Sequence, residues 1–250
     1  MAATPSLPAK YRLFRFQRLD STNDEALRRI EAGSAAHGDV IVADSQTAGR
    51  GRRGRTWQSP AGNLHLSLVV EPPSGSAVGQ LAFVAALAMG EAVASVIPEG
   101  VELRYKWPND LLLGGRKAAG VLIESNGNVE NPALAIGIGI NVCAAPEGTP
   151  YPATALRAEG GEVAAVELVA PLCAAFDCWY RRWSEQGFAP VRAIWLSCAH
   201  GIGTAIEARL PDGSVQRGVF RDLDSDGALV MEAGGRRQTV ATGDIFFTAA

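Results

Sequence analysis

The segment Gly49-Arg50-Gly51-Arg52-Arg53-Gly54-Arg55 sets four arginines among three glycines. Glycine lets a backbone come close to a ligand, and arginine offers a rigid, permanently charged fork that suits phosphate or carboxylate. The pattern is that of an anion clamp, although taken alone it is equally a solvated basic loop or an RGG-like nucleic-acid tract. A second group of polar side chains, Lys106, Asn109 and Asp110, falls at a strand end and the turn that follows. Asn-Asp after Pro108 is also what a plain turn wants. Lys117 comes just after the Gly114-Gly115 turn, where an ammonium could face two anions together or simply be a surface charge. Gly137-x-Gly139-x-Asn141 lacks the third glycine and the following helix of a dinucleotide fingerprint, so a Rossmann reading fails.

These residues need elements to hold them. Thr22-Asn23-Asp24-Glu25 has the form of a capping box, with Thr22 as the cap of a helix that Gly33 ends. Val40 to Ala43 reads as a buried strand, and Leu64, Leu66 and Leu68 alternate in strand fashion after the long Gly/Arg stretch from Ser45 to Gly62. Gly79 to Ile97 is an Ala-rich helix. Strands are expected at Val101 to Trp107, Leu111 to Leu113, Ala118 to Glu124 and Leu134 to Val142, with turns that include Asn126-Gly127-Asn128. Helices at about Val163 to Trp183 and Pro190 to Cys198 complete an α+β domain with a mixed or antiparallel sheet flanked by helices. From Gly201 onward short strands alternate with turns, the texture of a small SH3-like β-barrel. The expected division is 1–199 and 200–250.

With 250 residues, 47% of them hydrophobic, and a net charge of -3, the chain can bury a real core and is not a whole-surface nucleic-acid or membrane binder. Four scattered cysteines without a C-x-x-C pair and three separated histidines argue against a zinc site and for reduced thiols. Met1 to Lys10 shows no signal peptide, and the apolar run Leu81 to Ile97 is short for a membrane span and carries Glu91. A cytoplasmic protein is expected.

The stretch Gln46 to Pro60, QTAGRGRRGRTWQSP, resembles the signature loop of biotin protein ligases almost residue for residue. Asp20-Ser21-Thr22-Asn23, Lys106 to Asp110, Gly115 to Glu124 and Gly137 to Val142 resemble the family's other blocks, in the family's order. The resemblance implies a class II synthetase-like catalytic fold and an ATP-dependent reaction in which biotin becomes biotinyl-5′-AMP, releases pyrophosphate, and passes to a lysine of a biotin carboxyl carrier protein or domain. It places Lys117 and Arg50 in catalysis. Ser21, Thr22, Asn23, Gln46, Arg50, Gly51, Arg52, Lys117 and Gly120 then hold biotin or the adenylate, and Trp57, Lys106, Asn109, Asp110 and Asn141 hold ATP. For Ser21 and Thr22 a helix-capping role competes with this one. Trp57 either stacks on adenine or packs the loop.

Substrates are ATP and biotin, with Mg2+ held mainly through the phosphates and no protein metal cage. The loop from Ala48 to Gly62 is expected to be mobile in the empty protein and ordered by biotin or the adenylate, because a mixed anhydride must be kept from water. Only twenty residues precede Ser21 and none show a helix-turn-helix pattern, so a ligase-only form without sequence-specific DNA binding is expected. A homodimer, common in the family, is compatible with the sequence. Rival readings are a lipoate ligase or octanoyl transferase of the same fold, a nucleic-acid module, and a non-catalytic biotin-binding protein.

Overall fold

The computed structural model describes residues 7–73, 77–127, 133–149 and 151–247. Met1 to Ser6 and Asn128, the last residue of one expected turn, lie outside these. A seven-stranded mixed sheet runs in the order β1-β2-β3-β7-β6-β5-β4. Its strands are β1 (Arg12–Leu19), β2 (Asp39–Gln46), β3 (Leu64–Val70), β4 (Leu103–Lys106), β5 (Asp110–Leu113), β6 (Arg116–Ser125) and β7 (Leu134–Ile140). β1 and β2 are parallel, joined by helix α1 (Thr22–Glu31), and every other neighbouring pair is antiparallel.

One face of the sheet is covered by α2 (Leu81–Ala94), with α3 (Val169–Gln186) and α4 (Ala189–Ser197) packed behind and beside it. α2 is buried on nearly every side, which explains why it reads as uniformly apolar instead of amphipathic. The other face carries α1, whose Ala26 packs on Ile41, Val69 and Ala135. α1 covers only part of that face, and the rest is open.

The cap of α1 differs from expectation. Ser21, not Thr22, is the N-cap, accepting from the Asp24 backbone N–H. The Thr22 backbone N–H instead donates to Gln46 Oε1 at 2.7 Å. Glu25 pairs with Arg28 and Arg29 without reaching back to the cap. The competition between capping and ligand binding therefore does not arise at Thr22 and falls on Ser21, whose hydroxyl caps the helix while bordering the cavity.

The C-terminal strands β8 (Ala205–Arg209), β9 (Val215–Leu223), β10 (Leu229–Ala233), β11 (Arg236–Val240) and β12 (Asp244–Phe247) form an antiparallel sheet ordered β11-β10-β9-β8-β12. The expected barrel does not close. β11 and β12 are the two edges, and the short link from 241 to 243 brings them together at one end without a ladder between them. The turn between β9 and β10 is sunk into the helical layer. Trp107 Nε1 donates to Gly227 O at 3.0 Å, Gln80 Nε2 to Ser225 O at 2.9 Å and Arg192 Nε to Leu223 O at 2.8 Å. Apolar residues of both sheets, among them Phe220, Met231 and Ile245, join one continuous core.

Candidate active site

The open part of the sheet floors a cavity of about 430 Å³. Register explains its chemistry. Two rows of paired residues cross the sheet, Ser67–Gly137–Leu122 and His65–Gly139–Gly120–Asp110. They are two positions apart along each strand, so roughly 7 Å, and on one face.

Uncharged hydrogen-bonding side chains gather over the first row, with Glu124 behind them and outside the cavity lining. Asn23 Nδ2 donates to Glu124 Oε2 at 2.7 Å and to Leu122 O at 3.4 Å. Ser67 Oγ donates to Asn23 Oδ1 at 2.6 Å and lies 2.8 Å from Thr22 Oγ1. Gln46 receives Thr22 and passes its own N–H to Ser59 Oγ at 2.9 Å. Ser21, Thr22 and Asn23 are all buried, an arrangement that costs free energy unless each polar atom is satisfied. Glycine is required below them, because a Cβ on Gly137 would stand 2.6 Å from Asn23 Oδ1.

Charges and aromatics gather over the second row. Lys117 Nζ lies 2.6 Å from Asp110 Oδ1, and Lys106 Nζ lies 3.9 Å from Asp110 Oδ2. Burial alone would raise the Asp110 carboxyl, but Lys117 and Lys106 outweigh it and hold it below its usual range. Lys106, nearly sealed from solvent, is pushed down by that burial. Its ammonium sits 4.8 Å from the Tyr151 ring centroid. The Lys117 backbone is fixed by exchange with the 152–154 segment, donating to Pro152 O at 2.8 Å and accepting from Thr154 N at 2.9 Å. Trp57 lies across Gly139, where a Cβ would meet the indole at 2.5 Å, and its Nε1 is buried without a partner.

The arginine loop lines the same cavity. Arg50 bonds to Asp24 and, through Nε at 3.0 Å, to Glu124 Oε1; Asp24 chiefly, then Glu124, raises its affinity for its proton. Arg52 Nη1 donates to Gly243 O at 3.1 Å, and Arg53 and Arg55 reach the Asp244 carboxylate of the C-terminal sheet. Burial lowers Arg52, with Asp244 working against that.

Every residue assigned from the sequence to catalysis, to biotin or the adenylate, or to ATP borders this one cavity, Gly51 and Gly120 included. Two of them have much of their bonding capacity engaged within the protein. The Asn109 amide donates to Val121 O, and the Asn141 amide donates to Thr154 O at 3.1 Å. Sequence reasoning missed His65, Ser67, Glu124, Tyr151, Asp244 and Phe246. None carries a local signal, and most join the site through partners distant in sequence. In the C-terminal sheet Arg217 and Arg221 pair on the surface with Glu207 and Glu232. Among the described residues no group of three His, Cys, Asp or Glu could hold a metal ion, and no helix is long and apolar enough to cross a membrane.

Residues 14–141 match the biotin/lipoate A/B protein ligase family, and residues 201–248 match the biotin protein ligase C terminal domain. A biotin--[acetyl-CoA-carboxylase] ligase of Paracoccus denitrificans is 40% identical over 240 residues, which are 92% of this chain and 98% of that one. A biotin protein ligase from Aquifex aeolicus, solved in complex with biotin and ATP, superposes with TM-score 0.83 at 25% identity, covering 95% of this chain and 99% of its own. One from Leishmania major, in complex with biotinyl-5-AMP, gives TM-score 0.68 at 28% identity over 92% and 98%.

Proposed function

This chain belongs to the biotin/lipoate A/B protein ligase family, and from that premise we propose how its own residues carry out biotin ligation. The enzyme is an ATP-dependent biotin protein ligase. The biotin carboxylate attacks the α-phosphorus of ATP, the bond to the β-phosphate oxygen breaks, and pyrophosphate leaves. A carrier lysine then attacks the acyl carbon of biotinyl-5′-AMP, an amide forms, and AMP leaves. The observation that carries this reading is the division of one cavity into a neutral row and a cationic row about 7 Å apart. Biotin has the matching polarity, with an uncharged ureido ring at one end and a carboxylate at the other.

In this reading Ser21, Thr22, Asn23 and Gln46 receive the ureido ring. Lys117 lies where the carboxylate meets the α-phosphate and offsets the charge that moves to the leaving group. Asp110 holds Lys117 and Lys106 in place, and the three together keep one net positive charge facing two anionic substrates. Trp57 supplies an aromatic face to the adenine, and Arg52 a fork to the phosphate or carboxylate. Asn109 and Asn141 act in ATP binding chiefly by fixing the backbone around it. Arg50 contributes to adenylate retention through the loop it anchors. Magnesium enters with the nucleotide, held by its phosphates and water. That Asp110 and Asp244 are already paired with cations supports this. The acceptor is a biotin carboxyl carrier protein or domain of a carboxylase. The division of labour falls near residue 200, with 1–199 as the catalytic unit.

Biotin-dependent exchange of pyrophosphate into ATP tests the reading, with lipoate and octanoate in parallel. Exchange with biotin alone is expected. Exchange with lipoate would move the chain to the sister activity, and no exchange with any acid would leave a binding protein.

A further inference from the structure

Glu124 does not border the cavity, yet it touches two residues that do. Its Oε2 accepts from Asn23 Nδ2 at 2.7 Å, and its Oε1 accepts from Arg50 Nε at 3.0 Å. Both partners present only N–H groups, so a single side chain can satisfy them together only by offering acceptors at both ends. An ionised carboxylate does so; an amide cannot. The contact with Asn23 also decides which way that amide points. With Nδ2 committed to Glu124 and Leu122 O, and Oδ1 accepting from Ser67, a flipped amide would set oxygen against oxygen. Asn23 Oδ1 keeps one further lone pair, able to accept a neutral N–H entering the cavity. Arg50 stands at the root of the arginine loop and is held from its other side by Asp24.

We infer that Glu124 is a positioning residue that joins substrate recognition to loop placement: one carboxylate sets the polarity of the Asn23 amide and anchors the loop through Arg50. The inference rests on the biotin ligase reading above. It also assigns a coupling. A ligand that draws Asn23 toward itself pulls on Glu124, and through it on the arginine loop that lines the cavity.

Glu124→Gln is the test, since it leaves size and shape and turns one acceptor into a donor that must face N–H groups. A hydrogen bond to a charged group is lost, so the KM for biotin in pyrophosphate exchange should rise roughly 10- to 100-fold, with the KM for ATP changed no more than about twofold. Trypsin should cut the ligand-free variant faster at Arg50 to Arg55. Glu124→Asp, which keeps both acceptors on a shorter stem, should restore part of each. Equal rises in the two KM values would make Glu124 a merely structural group, and an unchanged biotin KM with unchanged cleavage would overturn the inference. Wild type that exchanges no pyrophosphate with biotin would sink the ligase reading, while the ligand-free cleavage comparison would still decide whether Glu124 anchors the loop.

Discussion

At the scale of single residues the site depends on paired charges and bare backbone. Lys117→Ala should reduce biotinyl-adenylate formation by about 10²- to 10³-fold, the cost of removing one preorganised charge from a developing anion. Transfer from chemically made biotinyl-adenylate to the carrier should fall far less, and following the two half-reactions separately checks this. Asp110 carries a prediction of a different kind. Its folded carboxyl is held below the ordinary value, so its contribution to stability is present above about pH 4 and is lost as pH falls through the lowered value. Asp110→Asn has no such term. Its acid-unfolding curve should therefore be flatter than that of wild type below about pH 4, as denaturant titrations in acid would register. At Gly139 any side chain meets the Trp57 indole, so Gly139→Val should displace Trp57 and raise the KM for ATP. An unchanged KM would remove Trp57 from the nucleotide site.

At the scale of elements, the loop from Ala48 to Gly62 makes its contacts mostly through arginine side chains, several of them to the single carboxylate Asp244. Partly exposed ion pairs of this sort contribute little each. Trypsin should cut within the loop in the ligand-free protein, and biotin with ATP should protect it. Equal cleavage in both states would end the ordering argument. The same scale shows what could be read from the chain alone. Alternation in Leu64 to Leu68, the apolar run of α2 and the glycine turns were legible because each is set by neighbours within a few residues. Which of two adjacent hydroxyls caps α1 was not legible. Gln46, 24 residues away, takes the Thr22 N–H and leaves the cap to Ser21. The arginine loop, Lys117 and the three residues from Ser21 to Asn23 announced themselves by motif. Glu124 and Ser67 became visible only once strand register set them beside Asn23. A barrel was expected from short strands alternating with turns, but closure depends on a ladder between β11 and β12 that no local pattern specifies.

At the scale of the whole molecule, the two sheets share one core, and the turn between β9 and β10 is fixed in the helical layer by Trp107, Gln80 and Arg192. Trp107 is almost wholly buried at that junction. Trp107→Ala should cost about 3–5 kcal/mol of unfolding free energy and should loosen the C-terminal sheet first. Calorimetry together with proteolysis between Ala199 and Ala205 would detect it, and a single transition shifted by under about 1 kcal/mol would show the junction to be weaker than its packing implies.

The reach of Arg52, Arg53 and Arg55 to Gly243 and Asp244 bears on recombination between relatives. The boundary drawn by chain order, near residue 200, is not the boundary drawn by contacts, because the loop's partners lie almost two hundred residues downstream. A chimera spliced at that boundary would join an arginine loop from one parent to an acceptor carboxylate from the other. Such hybrids should regain function when the loop is transplanted together with the last two strands, so that the inherited unit is a pair of distant segments and not a contiguous stretch of gene.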